Sequence, residues 1–423
     1  MKTSTVLVNF AALDPPRNGG TSRIGLHVSR LLQTLRDVRV VFAVNLAFVP
    51  QFEEWLGASA CIVPINTGGY YGQRQAARIT RALKPDFIIS PLFGAEPFQQ
   101  ITEPVHIVGM PDTLALEHPE LFSEHDVAYR RKLYEQLKTA DRVVTISQFA
   151  ADQLVKNAGL LRERVDVVLL GGDPAPPDAS VTPPVSGKYW FYPANAWPHK
   201  RHDLLLRAFA IARQKDPMLT LALTGDGDSF QAAYGAKLAE LGLDDSCVRH
   251  LGYVSNAALM ALYHHAEALV FVSSYEGFGM PLLEAMVAGC PVVCAPLTAI
   301  PEVAGDAALY VRDDTPEGWA RAVQDELPGQ RDRLIAAGYA RAPLFTWDKM
   351  REGWREALAQ AGLPTQTGEP PKFRSLFDLN RRMTLPGGRP IPQDTRLQRA
   401  FSRSYQWAVQ GIALVQAKRY ISR

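Results

Sequence analysis

Apolar and polar positions along this chain alternate between two rhythms. Short apolar runs at Val6–Phe10, Arg39–Val44, Phe87–Ser90, Val105–Val108, Arg142–Ile146 and Val165–Leu169 read as buried strands. Between them Ser22–Leu35, Tyr71–Leu83, Asp126–Thr139 and Gln148–Asn157 carry helical spacing. A stretch dense in Pro, Gly and Ser then runs from Gly171 to Gly187 and reads as a linker. After it the pattern restarts, with strands expected at Tyr189–Tyr192, Leu219–Leu223, Val248–Leu251, Ala268–Val272, Pro291–Ala295 and Ala308–Val311. Helices are expected between them at Asp203–Lys215, Phe230–Leu241, Ala257–His264, Pro281–Ala288 and Pro316–Asp325. Such alternation predicts parallel sheets with crossover helices. The expectation is an α/β protein of two doubly wound domains, residues 1–175 and 186–364, facing each other across a cleft. In open sheets of this kind ligands bind outside the carboxyl ends of the strands, where the strand order reverses.

Residues 365–423 break the pattern. They hold eleven Lys and Arg against three acids, and Leu397, Phe401, Tyr405, Ala408, Ile412 and Val415 recur at helical spacing. Two readings stand: a basic amphipathic helix on an anionic membrane surface, or a helix packed back on the first domain with its arginines solvated.

Composition narrows the class. With 423 residues, 47% hydrophobic and 21% charged, the chain has the makings of a globular protein of two ordinary domains. A formal net charge of +2 gives no reason to expect nucleic acid as a partner. Cys61, Cys247, Cys290 and Cys294 are scattered without ligand or framework spacing, so buried free thiols are expected and no metal site. Met1–Phe10 passes straight into a strand without a signal peptide's apolar core, and no window of 18 apolar residues occurs. A cytoplasmic location is expected, with peripheral membrane contact left open; oligomeric state is not readable.

The chemistry concentrates at Glu276-Gly-Phe-Gly-Met-Pro-Leu-Leu-Glu284. It follows the Ala268–Val272 strand, and Pro281 suits the opening of a helix. Glycines let the backbone approach a ligand, and the free N–H groups of a helix start suit an anion such as a diphosphate. Two carboxylates flanking that anion site can accept hydrogen bonds from hydroxyls on either side, which is the shape of a nucleotide sugar. The plain alternative is a βα turn with surface glutamates.

Ser274-Tyr-Glu276-Gly-Phe-Gly-Met-Pro-Leu-Leu-Glu284-Ala-Met resembles the E-x7-E signature of retaining family-4 (group 1) glycosyltransferases of the GT-B fold. The matched segments run from about Gly19 to about Val311. The resemblance implies two Rossmann-like domains with the nucleotide-sugar donor on the second. It also implies that Glu284 holds the ribose hydroxyls and Glu276 the transferred sugar. Backbone groups of Gly277, Phe278, Gly279, Met280, Pro281 and Leu282 would then meet sugar and diphosphate. Lys200 matches the lysine that supports departure of the nucleoside diphosphate. The family often carries an arginine where this chain has Ala194, so Arg201 either substitutes or the second cation is absent.

The remaining pieces are less local. Thr224-Gly225-Asp226-Gly227 is a βα turn that either contacts ligand or simply turns. Gly252-Tyr253-Val254-Ser255 resembles the segment that reads the nucleotide base, while Tyr253 equally suits a core or rim aromatic. Arg17-Asn-Gly19-Gly20-Thr21-Ser22-Arg23 occupies the place of the family's Gly-Gly loop, without its third glycine. Pro111-Asp112 stands where many members have His-Asp; Asp112 either contacts acceptor or caps its loop, and His118 reads as a surface or structural histidine. Ser147 reads first as a helix N-cap.

The resulting expectation is a retaining, mannosyltransferase-like enzyme that moves a hexose from a nucleotide-diphosphate sugar to a saccharide or lipid-linked acceptor, without cofactor or metal. A GT-B epimerase or phosphorylase, and a nucleotide-sugar-binding scaffold without turnover, are the rival readings.

Overall fold

A computed structural model describes residues 3–13, 19–57, 60–65, 69–92, 94, 96–172, 180–368, 384–385, 389–390, 414 and 417–418, the side chains at 19–21, 69–70, 384–385 and 389–390 excepted. Most of the 365–423 extension, including Leu397, Phe401, Tyr405, Ala408, Ile412 and Val415, therefore lies outside the described residues, as do Arg17 and positions 173–179 of the linker.

The first domain is a parallel sheet of seven strands: β1 (Ser4–Phe10), β2 (Val38–Asn45), β3 (Cys61–Ile65), β4 (Phe87–Ser90), β5 (Val105–Gly109), β6 (Arg142–Thr145) and β7 (Val165–Val167). Their order is β3-β2-β1-β4-β5-β6-β7. Helices α1 (Gly19–Gln33), α2 (Val49–Leu56), α3 (Gly69–Leu83), α4 (Leu114–Glu117), α5 (Glu124–Leu137) and α6 (Gln148–Ala158) connect them. Central strands are apolar on both faces, as parallel strands covered by helices must be: Val6, Leu7 and Val8 are wholly buried.

The second domain repeats the plan with six parallel strands: β8 (Tyr189–Pro193), β9 (Thr220–Thr224), β10 (Val248–His250), β11 (Ala268–Phe271), β12 (Val292–Cys294) and β13 (Ala308–Tyr310). They are ordered β10-β9-β8-β11-β12-β13. Helices α7 (His202–Lys215), α8 (Gly227–Glu240), α9 (Asn256–His265), α10 (Met280–Ala288), α11 (Ile300–Ala304), α12 (Pro316–Arg321), α13 (Arg331–Arg341) and α14 (Trp347–Gln360) complete it. The core is built on Tyr189, Trp190, Phe191 and Tyr192 of β8 beside Ala268–Phe271 of β11.

Strand order reverses between β1 and β4 in one sheet and between β8 and β11 in the other. This is the arrangement that opens a crevice at the strand ends. The expectation of two doubly wound parallel sheets is met. The chain then crosses back: on α14, Trp347 stacks on His27 of α1 at 4.2 Å, and Arg351 bonds the same imidazole at 2.7 Å. Beyond it Thr367 bridges Leu35, and Leu414 and Ala417 pack in the first domain's core beside Leu7 and Ile88. All four cysteines are buried and unpaired. Among the described residues no helix is long and apolar enough to cross a membrane.

Candidate active site

The site forms where β8 and β11 end side by side. After β8 a short 3-10 turn, Pro198–Lys200, presents Lys200. After β11, Ser273–Gly279 winds down to α10 and presents Glu276. Their side chains meet: Lys200 Nζ lies 2.6 Å from Glu276 Oε1, with only 19% and 11% of each side chain exposed. Both turns are held from behind. Tyr192 donates to the Lys200 carbonyl at 2.8 Å, and Ser274 N donates to the His199 carbonyl at 2.9 Å. The Glu276 amide donates to Thr298 Oγ1 at 3.0 Å.

Gly279 caps α10 with φ +101, a left-handed backbone that a side chain would strain, and Pro281 sits in the first turn. The helix therefore starts directly after the turn that carries Glu276. Glu284 stands in the second turn, where Tyr263 donates to its Oε2 at 2.9 Å. Phe278 and Leu282 point inward: Phe278 meets Phe345 edge-on at 5.7 Å, and Leu282 is wholly buried. Only their backbones can serve a ligand. Met280 and Pro281 are partly exposed.

The first domain closes directly on this turn. Ser147 caps α6 by accepting from the Ala150 amide at 3.0 Å, and its hydroxyl also donates to the Gly277 carbonyl at 2.6 Å. A side chain at Gly277 would start 2.8 Å from the Pro111 carbonyl and 3.2 Å from Asp112 Cβ. Glu302 of α11 accepts from the Gln148 and Phe149 amides at 2.8 and 3.2 Å, so a carboxylate from one domain caps a helix of the other. Tyr275 donates to Glu117 Oε1 at 2.7 Å, an oxygen that also accepts from Thr113 at 2.6 Å. At the other end of the mouth Arg23 of α1 lies 3.7 Å from Glu284 Oε1 and 3.5 Å from Asn256 Oδ1.

Other residues singled out in the sequence fall as follows. Asp112 accepts from the Leu114 amide at 3.0 Å, a loop cap. Burial raises its carboxyl above the usual range, the Leu114 amide, Arg130 and Lys200 pull it down, and Glu276 pushes it up. Arg201, in a left-handed backbone, turns aside to a two-point pair with Asp314 at 2.8 and 3.1 Å. Tyr253 is 77% exposed, a rim aromatic and not a core one, with its hydroxyl 3.4 Å from Asn195 Oδ1. Val254 beside it is half-buried. Gly225 is buried in the turn after β9 and donates to the Gly252 carbonyl at 3.0 Å. Gly19, Gly20 and Thr21 form the first turn of α1 and not a loop before it, and their side chains lie outside the described residues. His118 bonds Glu120 at 3.0 Å and faces the Tyr275 ring edge-on at 5.8 Å.

Arg23, Glu117, Tyr263, Glu302 and Thr298 received no role from sequence. Only Arg23 carried a signal, its place four residues after Gly19.

A crevice at two switch points, with paired acids and a lysine around a glycine-bearing helix start, defines a GT-B protein, and comparison with known proteins agrees. Residues 187–327 match the family model described as glycosyl transferases group 1. The O-antigen chain mannosyltransferase B of Escherichia coli is 31% identical over 246 residues, 54% of this chain and 64% of that protein. The D-inositol 3-phosphate glycosyltransferase of Salinispora arenicola is 31% identical over 248 residues, 52% of this chain and 55% of that protein. The match thus spans less than two thirds of either relative. The crystal structure of Anabaena HepE in complex with UDP and glucose superposes with a TM-score of 0.65 at 18% identity, covering 84% of this chain and 100% of that one. Sucrose-phosphate synthase from Thermosynechococcus elongatus superposes with a TM-score of 0.63 at 15% identity, covering 84% and 98%. Residues 187–327 are thus similar to the group 1 glycosyltransferases, and the fold is GT-B.

Proposed function

We propose that this protein transfers a hexose, with retention of configuration, from a nucleotide-diphosphate sugar to a saccharide or lipid-linked acceptor. The observation that carries the proposal is the Lys200–Glu276 pair at the joined ends of β8 and β11, with Glu284 in the second turn of α10, the helix that follows. The diphosphate lies against the amides of Gly277, Gly279 and the α10 start. Glu284 accepts from ribose hydroxyls and Glu276 from hydroxyls of the sugar. Lys200 meets the negative charge that builds on the leaving phosphate as the glycosidic bond breaks. The acceptor hydroxyl attacks on the face the phosphate leaves, and its proton passes to a phosphate oxygen. Two observations about relatives support this reading. One is named a mannosyltransferase, and one neighbouring fold was crystallised with UDP and glucose.

The test is a thermal-shift panel of UDP, GDP, ADP and their sugars, followed by transfer from the stabilising donor to acceptor extracts. NMR of the product then reports the anomeric configuration. An inverted product removes the retaining assignment. Epimerised donor, or phosphate-dependent cleavage, points to another reaction on this fold. Donor binding with no transfer to any acceptor leaves a binding protein, a reading that Pro111 in place of histidine favours.

A further inference from the structure

A nucleoside diphosphate brings about two negative charges into the site, and most cations at the second domain's strand ends are already matched. Lys200 faces Glu276 at 2.6 Å, and Arg201 is drawn to Asp314 at 2.8 Å. Glu284 adds a further negative charge at the mouth. On that side Lys200 is shared with Glu276, and amide dipoles meet much of the remaining phosphate charge.

The first domain supplies another charge. Arg23 extends from α1 to within 3.7 Å of Glu284 Oε1, and its other guanidinium nitrogen reaches Asn256 Oδ1 at 3.5 Å, in the first turn of α9. It is partly exposed, at 29% of its side chain. A guanidinium presents five N–H donors in a planar fork that suits phosphate. At this distance it neighbours whatever Glu284 binds.

Resting on the donor-site reading above, we propose that Arg23 is a donor-binding residue supplied from the opposite domain. When ribose hydroxyls satisfy Glu284, the Arg23 fork engages the diphosphate next to that ribose. Tight donor binding then requires both domains, and closure of the cleft is coupled to the phosphate charge.

The experiment is calorimetric titration of the full chain with UDP, GDP and ADP, and with uridine, guanosine and adenosine, at fixed salt. For the diphosphate that wild type binds, Arg23→Ala is expected to raise Kd about ten-fold or more, while the matching nucleoside shifts far less. Arg23→Lys is expected to recover part of the loss. The loss is expected to persist in a Glu284→Gln background, which removes the carboxylate's charge and separates direct phosphate contact from a strut acting through Glu284. Equal loss for nucleoside and diphosphate, an unchanged Kd, or disappearance of the effect in Glu284→Gln would each overturn the proposal. Wild-type protein that binds none of the three diphosphates instead sinks the donor-site reading itself, and this inference with it.

Discussion

Lys200 and Glu276 are 76 residues apart in the chain and 2.6 Å apart in the fold. They meet because β8 and β11 are neighbours at the point where the second sheet reverses its order. Each rides on a turn pinned by a hydroxyl, Tyr192 for Lys200 and Thr298 for Glu276, so the pair is set before any ligand arrives. In the proposed reaction a fixed charge pair costs no reorganisation as the phosphate leaves.

Removing either member should therefore cut turnover more than binding. Lys200→Ala and Glu276→Ala are each expected to lower kcat about 100-fold or more. Each also strands a largely buried charge, at a cost of about 3 kcal/mol or more. Steady-state kinetics and thermal melts read the two effects apart. Wild-type rates in both variants would remove the pair from the mechanism.

Glu284 should behave differently. In the proposed reading it holds the nucleotide end, where interactions persist from ground state to transition state. Glu284→Ala is expected to raise the donor KM about ten-fold or more, as the loss of hydrogen bonds to a charged group implies, with a smaller change in kcat. A Glu284→Ala enzyme with wild-type KM and a collapsed kcat would exchange the roles of the two acids.

His199 predicts a response to acid. Its imidazole is pushed down to about 3, first by burial and then by the charges of Lys200 and His118. The folded value lies below the unfolded value of about 6.5, so the fold holds the ring neutral. Its contribution to stability is complete above about pH 6.5 and is lost as pH falls toward 3. His199→Gln should flatten stability against pH across that window, which denaturant melts at stepped pH measure. Parallel curves for variant and wild type would show that His199 does not titrate this way.

The site motif was legible because it is local: strand, glycine turn, Pro281 and Glu284 lie within a few residues. Strands with continuous apolar runs, such as Phe87–Ser90, were legible for the same reason. The segment from Val49 to Ile65 was not. Pro50 and Pro64 argue against a regular element, yet Pro50 sits in the first turn of α2 and Pro64 on β3, the edge strand, where a missing N–H is tolerated. The partners that close the cleft, Glu117 to Tyr275, Glu302 to α6 and Arg23 to Glu284, are 158, 154 and 261 residues apart or nearly so. No local pattern encodes them. They exist only once two domains dock. Arg201 shows the converse: its position after a strand end suggests a ligand cation, and Asp314, 113 residues on, claims it.

Gly277 gives the sharpest test of docking. The Ser147 hydroxyl reaches its carbonyl at 2.6 Å, and the Pro111 carbonyl stands 2.8 Å from where a β-carbon would begin. Real β-carbons do not approach a backbone oxygen that closely, and neither backbone can yield without moving its strand end. Gly277→Ala should therefore wedge the domains apart at the turn that carries Glu276 while leaving each core intact. The expected result is a loss of transfer activity of about 100-fold, the scale that a misplacement near 1 Å produces, with little change in the melting temperature. Small-angle scattering should show a larger radius of gyration than wild type. A variant that scatters like wild type and keeps its activity would mean that the contact between Gly277 and Pro111 is not part of the working enzyme.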